Sequence, residues 1–345
     1  MLYEKSLSSG YYKLAMLVLQ SVKGYNLFIC SSNDSGRRLD RVVKKMLPDV
    51  PAGLIYSGIR KGLIKVNGKK SKQSYRIEEN DTIAVRESIS YALENRRDHT
   101  DSVASAQLEE ITVLRSRNLL MLNKPAGMLT HGEDSLAVLL DRGLTGIGSS
   151  LSFKPAPLHR LDRNTSGLIA ISVTIKGASR FSELMREHRL KKYYIGICKG
   201  GPAKPQKLSD RLIRTGLKTR TAGSSPADET ESKRAVTTVE TILKKDGLTL
   251  CLFRIETGLT HQIRAQSAEA GFPLAGDAKY GGSVKGFRTF ILHAFSLSFG
   301  EFDEICGFKE CTAPLPAKSF NKAVSIFGRT ELESAIDRII TIIIS

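Results

Sequence analysis

The chain has 345 residues, and 52 Lys and Arg against 35 Asp and Glu give it a formal net charge of +17. With 41% hydrophobic residues it can bury a sizeable core, which excludes a wholly disordered chain and fits a large domain with a small one. The basic residues are spread along the chain and do not cluster beside an apolar anchor, so the charge favours a nucleic-acid partner over an anionic membrane.

Apolar segments and cysteines narrow the class of protein further. The apolar runs 14–19 and 339–344 fall well short of the ~20 residues that span a bilayer. The five cysteines include no Cys-x-x-Cys pair, and Cys306 and Cys311 have no histidine or second pair nearby to complete a zinc site. We therefore expect reduced thiols in a cytoplasmic protein, with no metal and no membrane partner.

The first patterned segment follows an unpatterned N-terminal extension, residues 1–35, and runs over residues 36–86. Apolar residues from Leu39 to Leu47 fall at helical spacing, Pro48 and Pro51 end that helix, and a second helix follows. Residues 63–66 form a predicted strand, and Asn67-Gly68 is a strong hairpin signal. The segment therefore predicts a small α/β domain made of two helices and a hairpin.

Basic residues are dense on this small domain. They could form a face that contacts only solvent, or they could form a surface that contacts RNA. Their density favours RNA, because phosphate neutralisation is the main source of sequence-independent affinity. The segments Arg38-Leu39-Asp40, Ile59-Arg60-Lys61-Gly62 and Val66-Asn67-Gly68-Lys69 resemble the S4 RNA-binding domain. The resemblance implies that these residues bind RNA: Arg37, Arg38, Arg60, Lys61, Lys65, Asn67, Lys69 and Lys70.

Three more segments complete the predicted organisation. The stretch Glu94–Gln107 is polar and rich in charge and small residues, and residues 87–107 are therefore a predicted linker. Residues 108–328 alternate strand and helix patterns and form a predicted larger domain. Residues 329–345 are set apart as a C-terminal tail.

The stretch His159 to Leu168, HRLDRNTSGL, places an acid between two arginines just before an apolar run. Asp162 could form a structural ion pair with them. Alternatively, Arg160 and Arg163 help to keep Asp162 ionised, so that its carboxylate can attack an electrophilic sugar carbon.

Further blocks in order along the chain favour the second interpretation. The stretch 159–168 resembles the signature loop of the RluA-type pseudouridine synthases, and Asn123-Lys124-Pro125-Ala126-Gly127 resembles the opening motif of that family. The later blocks are Lys192-Tyr193-Tyr194-Ile195-Gly196, Thr257–Arg264 with Gly271–Gly281, and Leu292-His293-Ala294. With the S4 segment, the resemblance covers residues 36 to 315.

The resemblance implies an α+β fold. It consists of a mixed, largely antiparallel sheet with flanking helices and an active-site cleft, beside the small α/β S4 domain. Its catalytic residues are Asp162 as nucleophile, Tyr194 as the ring that packs on the target base and is the candidate for C5 proton removal, and Arg264 as the partner that keeps Asp162 charged. Arg160 is implied to help to displace the target nucleotide or to occupy the space that the nucleotide leaves. The other implied substrate-binding residues are Leu161, Thr165, His261, Gln262 and Leu292. The reaction isomerises uridine to pseudouridine in RNA and uses no cofactor.

Two residues depart from the family pattern, and two alternative functions stay open. Leu259 stands where the family usually has arginine, and Gln266 stands where many members have histidine. The S4 spacing is closest to synthases of the RluC and RluD kind, which implies large-subunit (23S) ribosomal RNA as the partner of a monomeric enzyme. The alternatives are the same chemistry on transfer RNA, and an RNA-binding protein with impaired catalysis.

Overall fold

The structure is a computed structural model that describes residues 20–22, 24–90, 102–144, 150–215, 218–222 and 232–344. These residues divide into two compact units. The first contains the described residues of Met1–Glu109, Leu139–Ala156 and Ser172–Ala178, and the second those of Glu110–Val138, Pro157–Ile171 and Ser179–Ser345. The predicted extension up to residue 19 and the centre of the predicted linker, residues 91–101, lie outside the described residues.

The first unit contains a small sheet with short helices. Its elements in chain order are β1 (Gln20–Val22), β2 (Tyr25–Ile29), α1 (Leu39–Met46), α2 (Ala52–Lys61), β3 (Ile64–Val66), β4 (Lys69–Lys70), β5 (Thr82–Arg86), α3 (Glu87–Ser90) and α4 (Ser102–Glu110). The strand order is β1-β2-β5-β3-β4. Pro48 and Pro51 separate α1 from α2, and Asn67 and Gly68 both have positive φ in the hairpin turn, as the sequence predicts.

The small sheet begins earlier than the sequence predicts. Strand β2 pairs antiparallel with β5 from Tyr25↔Arg86 to Ile29↔Thr82, so part of the predicted extension 1–35 belongs to the sheet. Phe28 and Cys30 are buried in the same cluster as α1 and α2. Because β1 has three residues and β2 five, these strands are too short to show a clear alternating pattern.

Residues 150–152 also belong to this unit, and they contact the loop between β2 and α1. Asp34 is fully buried, and its carboxylate accepts hydrogen bonds from Ser31, Ser150, Leu151 and Ser152. Leu151 packs in the hydrophobic cluster formed by the small sheet and its helices. The small fold is therefore completed by a segment more than a hundred residues away in sequence.

Both described ends of the predicted linker 87–107 are helical, since α3 and α4 lie there. Ala104 and Leu108 are buried, and the Ser105 hydroxyl donates to the carbonyl of Gly143. A Cβ on Gly143 would lie 2.7 Å from Leu108, so a glycine there lets α4 pack closely. The predicted linker therefore includes ordered, packed structure.

The remaining elements build a larger sheet with flanking helices. Its strands are β6 (Thr112–Arg115), β7 (Leu119–Lys124), β8 (Ala156–Pro157), β9 (Ser166–Ser172), β10 (Lys191–Lys199), β11 (Gln206–Thr215), β12 (Lys218–Thr221), β13 (Lys233–Lys245), β14 (Leu248–Ile255), β15 (Leu292–Asp303) and β16 (Phe308–Thr312). The helices are α5 (Leu136–Gly143), α6 (Ile175–Arg186), α7 (Gln262–Glu269), α8 (Ala317–Phe327) and α9 (Arg329–Ile344), with a 3₁₀ turn at Ala278–Tyr280.

The strand order of the large sheet places β10 at its centre. The order is β12-β11-β13-β14-β10-β15-β9-β7-β6, with β16 beside β15 and β8 beside β9. The pairs of β10 with β14 and β15 are antiparallel, and β15 pairs in parallel with β9. This mixed sheet with helices confirms the predicted α+β class.

Alternate residues of β10 enter different hydrophobic clusters. Tyr193, Ile195 and Ile197 pack with α8 and α9, whereas Tyr194 and Cys198 pack with Ile263 of α7. Successive side chains of a strand point to opposite faces, so α7 and Tyr194 share one face of the sheet. The candidate site lies on that face.

Residues 329–345 differ from the predicted tail. Residues 329–344 form helix α9, and Leu332, Ala335, Ile339 and Ile343 are buried in the same cluster as β10. Their spacing of three and four residues places them on one side of a helix. The described helices include none that is long and apolar enough to cross a membrane.

Candidate active site

Asp162 lies in a tight loop between β8 and β9. The backbone N–H of Thr165 donates to the carbonyl of Asp162 at 3.1 Å, which closes the loop. At the start of β9, Gly167 has φ of +113°, and a Cβ there would collide with the backbone of Ala294 in β15. Only glycine allows this close approach, which fixes the loop on the sheet. The Asp162 side chain stays 19% exposed.

Arg264 links Asp162 to a second carboxylate. Its Nη1 lies 3.2 Å from Asp162 Oδ2, while its Nε and Nη2 donate to the two carboxylate oxygens of Asp277 at 2.7 and 3.0 Å. Burial opposes the charge on Arg264, but the hydrogen bonds and charges of Asp277 and Asp162 outweigh it and raise its pKa. Arg264 is therefore a fixed cation that orients Asp162.

Tyr194 lies on β10 on the same face and is 8% exposed. Burial raises the pKa of its phenol, and the negative charge of nearby Asp162 raises it further. The hydroxyl is therefore protonated at neutral pH. Asp162, Tyr194 and Arg264 come from a loop, a strand and a helix, and the fold brings them together.

His261 lies on the other side of Asp162 Oδ2, with its Nε2 at 3.7 Å. Its Nδ1 lies 2.9 Å from the hydroxyl of Tyr280, and that hydroxyl accepts the backbone N–H of Thr219 at 2.9 Å. Burial lowers the pKa of His261, although the charge of Asp162 opposes this shift. The imidazole is thus neutral near pH 7, and its ring is held in place by Tyr280.

Lys124 is buried beneath the Asp162 loop and bound to three carbonyl oxygens. Its Nζ donates to Pro125 at 3.0 Å, to Met128 at 2.8 Å and to Arg163 at 3.3 Å. Burial lowers its pKa to about 8, and the charge of Asp162 acts against this shift. Lys124 therefore ties the 124–128 loop to the Asp162 loop.

The other predicted substrate-binding residues fall into two groups. Arg160, two residues before Asp162 in the same loop, is exposed. Four others are buried, each 5% exposed or less: Leu161, Thr165, Gln262 and Leu292.

Gln262 departs most clearly from its predicted contact with substrate. Its Oε1 accepts from Thr257 and from the backbone of Leu259, and its Nε2 donates to Val236 and Thr237. Both ends of the amide are engaged within the protein and hold the loop before α7, and its contact with substrate stays a prediction.

Lys124, Asp277 and Tyr280 lie inside the motif blocks, but the sequence alone assigns them no role. For Asp277 the available signal was a lone acid in a Gly-rich segment, 13 residues after Arg264. Among the described residues there is no group of His, Cys, Asp or Glu side chains that could hold a metal ion.

Comparison with protein-family models places this geometry in a family. Residues 118–269 match the model of RNA pseudouridylate synthase, and residues 37–83 match the S4 domain. The chain therefore contains an RNA pseudouridylate synthase domain and an S4 domain. It is an enzyme that isomerises uridine to pseudouridine in RNA.

Individual relatives agree with this assignment. The synthase is 28% identical over 276 residues to ribosomal large subunit pseudouridine synthase C of Vibrio vulnificus (strain CMCP6), covering 77% of this chain and 85% of the relative. It is 28% identical over 284 residues to the protein of that name from Escherichia coli (strain K12), covering 78% and 86%. Human RNA pseudouridylate synthase domain containing 4 superposes with a TM-score of 0.50 at 20% identity, over 63% of this chain and 92% of that one, which shows a shared fold.

In the S4 domain of this synthase, four of the predicted RNA-binding residues form an exposed basic patch. They are Arg60 and Lys61 at the end of α2, and Lys69 and Lys70 of the hairpin. The aliphatic part of Lys70 lies against Gly62, which joins the helix end to the hairpin. Their exposure leaves these charges available to phosphate.

The other four predicted RNA contacts already have partners within the synthase. Arg37 donates to Ser152, and Arg38 forms an ion pair with Asp40 at 2.7 Å. Lys65 lies over the ring of Tyr25, 4.7 Å from its centroid. Asn67 donates to Asp81 and accepts from the backbone of Thr82. Asn67 is therefore a structural residue of the hairpin.

The two departures from the family pattern are both accommodated. Leu259 packs against the apolar cluster of Leu212, Ala235 and Ala265. Gln266 is 1% exposed, accepts from Thr237 at 2.6 Å and donates to Asp210 at 2.6 Å. Leu259 therefore makes an apolar contact where the family pattern has a charge.

Proposed function

We propose that this synthase modifies uridines of large-subunit ribosomal RNA, with Asp162 as the nucleophile. The RNA class is supported by the names of the two bacterial relatives, by the S4 domain and by the net charge of +17. Five free cysteines, all of them buried, fit a reducing cytoplasm. A single chain supplies the whole candidate site, so the proposed chemistry needs no second subunit.

The observation that carries the proposal is the asymmetric environment of the Asp162 carboxylate. Arg264 and His261 both face Oδ2, whereas Oδ1 has no hydrogen bond to any residue within the described ranges. A carboxylate held through one oxygen keeps the other available for bond formation. We therefore assign Oδ1 as the attacking atom.

The proposed reaction conserves all atoms of the uridine. Oδ1 bonds to C1′ while the N1–C1′ bond breaks and leaves its electron pair on the uracil ring. The ring then turns so that C5 faces C1′. The C5–C1′ bond forms as Oδ1 departs, the C5 proton is lost, and N1 takes a proton from water.

Tyr194 is better suited to hold the detached base than to act as a phenolate. Its raised pKa keeps the proton on its oxygen at neutral pH. A ring stacked on the base recovers about 1–3 kcal/mol of the cost of removing a nucleotide from its stack. The C5 proton then passes to the carboxylate that Asp162 regains, either directly or through the Tyr194 hydroxyl.

The test uses ribosomal RNA transcribed with tritium at C5 of uridine. Because the reaction breaks the C5–H bond, turnover releases tritium into water, and mapping of the product locates the modified uridines. We expect Asp162→Asn to slow release by at least about 10³-fold while RNA binding is retained. Asp246→Asn, in the exposed turn between β13 and β14, is the matched control and should keep full activity.

The alternatives give different results in this assay. Release from transfer RNA but not from ribosomal RNA transcripts would move the substrate to transfer RNA. Binding without release from either RNA would identify an RNA-binding protein with impaired catalysis. Equal release by the wild type and Asp162→Asn would exclude Asp162 as the nucleophile.

A further inference from the structure

Lys192 is a buried lysine that has no partner in the part of the chain that the structure describes. It lies on β10, two residues before Tyr194, and is 8% exposed. No hydrogen bond or ion pair joins its ammonium group to another described residue, whereas two other buried cations near the site are engaged. Arg264 has Asp277 and Asp162, and Lys124 has three carbonyl oxygens.

The strand register places Lys192 on the face of the sheet that carries the active site. In the β10–β14 ladder, Lys192 pairs with Ile255 and Tyr194 pairs with Phe253. Ile255, Phe253 and Tyr194 belong to one hydrophobic cluster, and residues two apart on a strand share a face. Lys192 therefore projects beside Tyr194.

Two observations locate its ammonium group more closely. Lys192 Nζ lies 3.6 Å from the position of a Cβ on Gly258, which belongs to the loop leading to His261 and Arg264. Its positive charge also lowers the pKa of His159, in the loop that carries Asp162, although burial is the larger cause. The ammonium is thus close to both loops that form the site.

An unpaired ammonium in such a position is costly. Burial alone lowers the pKa of Lys192, and no carboxylate counteracts it. A buried charge without a partner destabilises the free protein, so it is expected where a ligand brings the opposite charge.

We propose that Lys192 binds a phosphate group of the RNA that adjoins the target uridine. This inference rests on the RNA substrate proposed above. Phosphate is the recurring anion of RNA, and a nucleotide drawn into the pocket brings its own phosphates with it. A lysine ammonium is a compact point charge with three donors and no acceptor, and this chemistry suits an anion.

The first test compares Lys192→Met with Lys191→Met, which removes the adjacent exposed lysine of the same strand. Binding of a deproteinised ribosomal RNA transcript is measured over a series of salt concentrations. We expect Lys192→Met to weaken binding about tenfold and to lower the slope of log affinity against log salt by about one. Lys191→Met should leave both within about twofold. Equal slopes for Lys192→Met and the wild type would overturn the inference.

The second test identifies the phosphate. Methylphosphonate linkages, which are uncharged, are placed one at a time around a modified uridine in a short RNA. The wild type should lose affinity at one linkage beside the uridine, and Lys192→Met should show no further loss at that linkage. Additive losses at every linkage would contradict direct contact.

A stability measurement separates this role from a structural one. If Lys192 serves the ligand, Lys192→Met should unfold at the same or a higher urea concentration than the wild type, because methionine is stable in a buried position. A less stable variant with an unchanged salt slope would make Lys192 a structural residue. Failure of the proposed function can be distinguished from failure of this inference, because the wild type would then release no tritium.

Discussion

At the scale of single residues, the hydrogen bonds from Arg264 to Asp277 decide where the Arg264 guanidinium points. Asp277 is 2% exposed and takes two of its nitrogens, which leaves Nη1 for Asp162. Asp277 never needs to touch the RNA to influence the reaction. It acts through Arg264, so it is a positioning residue.

We predict that Asp277→Asn lowers kcat about 10- to 100-fold and leaves the affinity for RNA within about twofold. The amide keeps the shape of the side chain but removes a charge-assisted pair, which is stronger than a neutral hydrogen bond. Asp303→Asn is the control, since Asp303 is also buried and pairs with Arg180 at 2.8 Å outside the candidate site. Tritium release at saturating RNA measures kcat. A similar loss of kcat in both variants would mean that general destabilisation is the cause.

The same residues show how far the sequence can predict the site. Asp162, Tyr194 and Arg264 are predicted as catalytic because each lies in a separate ordered motif, and the fold brings them together while their roles stay predictions. Asp277 was not given a role, because its contact with Arg264 forms only when α7 and the turn at Ala278–Tyr280 have folded. Gln262 looked available to substrate, yet its hydrogen bonds lie within the protein.

At the scale of secondary-structure elements, His293 joins β15 to β9 in the interior. It is fully buried, its Nε2 donates to the carbonyl of Ala313 at 3.1 Å, and its Nδ1 accepts the hydroxyl of Ser166 at 2.9 Å. Burial lowers its pKa to about 4, although the bond to Ala313 acts in the other direction. The folded protein thus holds this ring in its neutral form.

A pH dependence of stability follows from this lowered pKa. Between pH 6.5 and 4 the unfolded chain binds a proton at His293 that the folded chain does not. Stability should therefore be complete above pH 6.5 and fall as the pH drops, by up to about 1.4 kcal/mol per pH unit for this group. Urea unfolding between pH 4.5 and 7.5 measures it. His293→Gln should be less stable at pH 7.5 and have a shallower slope, and an unchanged slope would refute the prediction.

Helices and strands were predicted well where the hydrophobic pattern was long or where prolines marked its ends. The two prolines bounded α1 and α2, but three- and five-residue strands gave no usable period. Helix α9 was missed because its second half is the run IITIII, whose β-branched residues resemble a strand more than a helix. Its burial against β10 overrides that local preference.

At the scale of the whole molecule, the net charge of +17 is expected to draw RNA to many surfaces, but the S4 patch should contribute most. We predict that changing Arg60 and Lys61 to Glu weakens RNA binding by more than about tenfold. Lys244 and Lys245 are exposed at the end of β13. Changing them to Glu alters the net charge by the same amount and serves as the control. Binding is measured at fixed salt. Equal losses in the two variants would show that overall charge, and not the S4 patch, determines affinity.

The motif order predicted the fold class at this scale but could not give the strand order. Strand β10 lies between β14 and β15, which are distant from it in sequence. Alternating burial reveals that a segment is a strand, whereas its neighbours depend on which faces pack together in three dimensions.

The contacts of Asp34 carry a consequence for evolution and for protein engineering. A carboxylate surrounded by the donors of residues 150–152 cannot change alone, because any replacement leaves buried donors without an acceptor. Asp34 and the Ser-Leu-Ser segment should therefore vary together among descendants of this gene. A chimaera that takes its small fold from another protein should take Asp34 and residues 150–152 from that same protein, although the two segments are far apart in the chain.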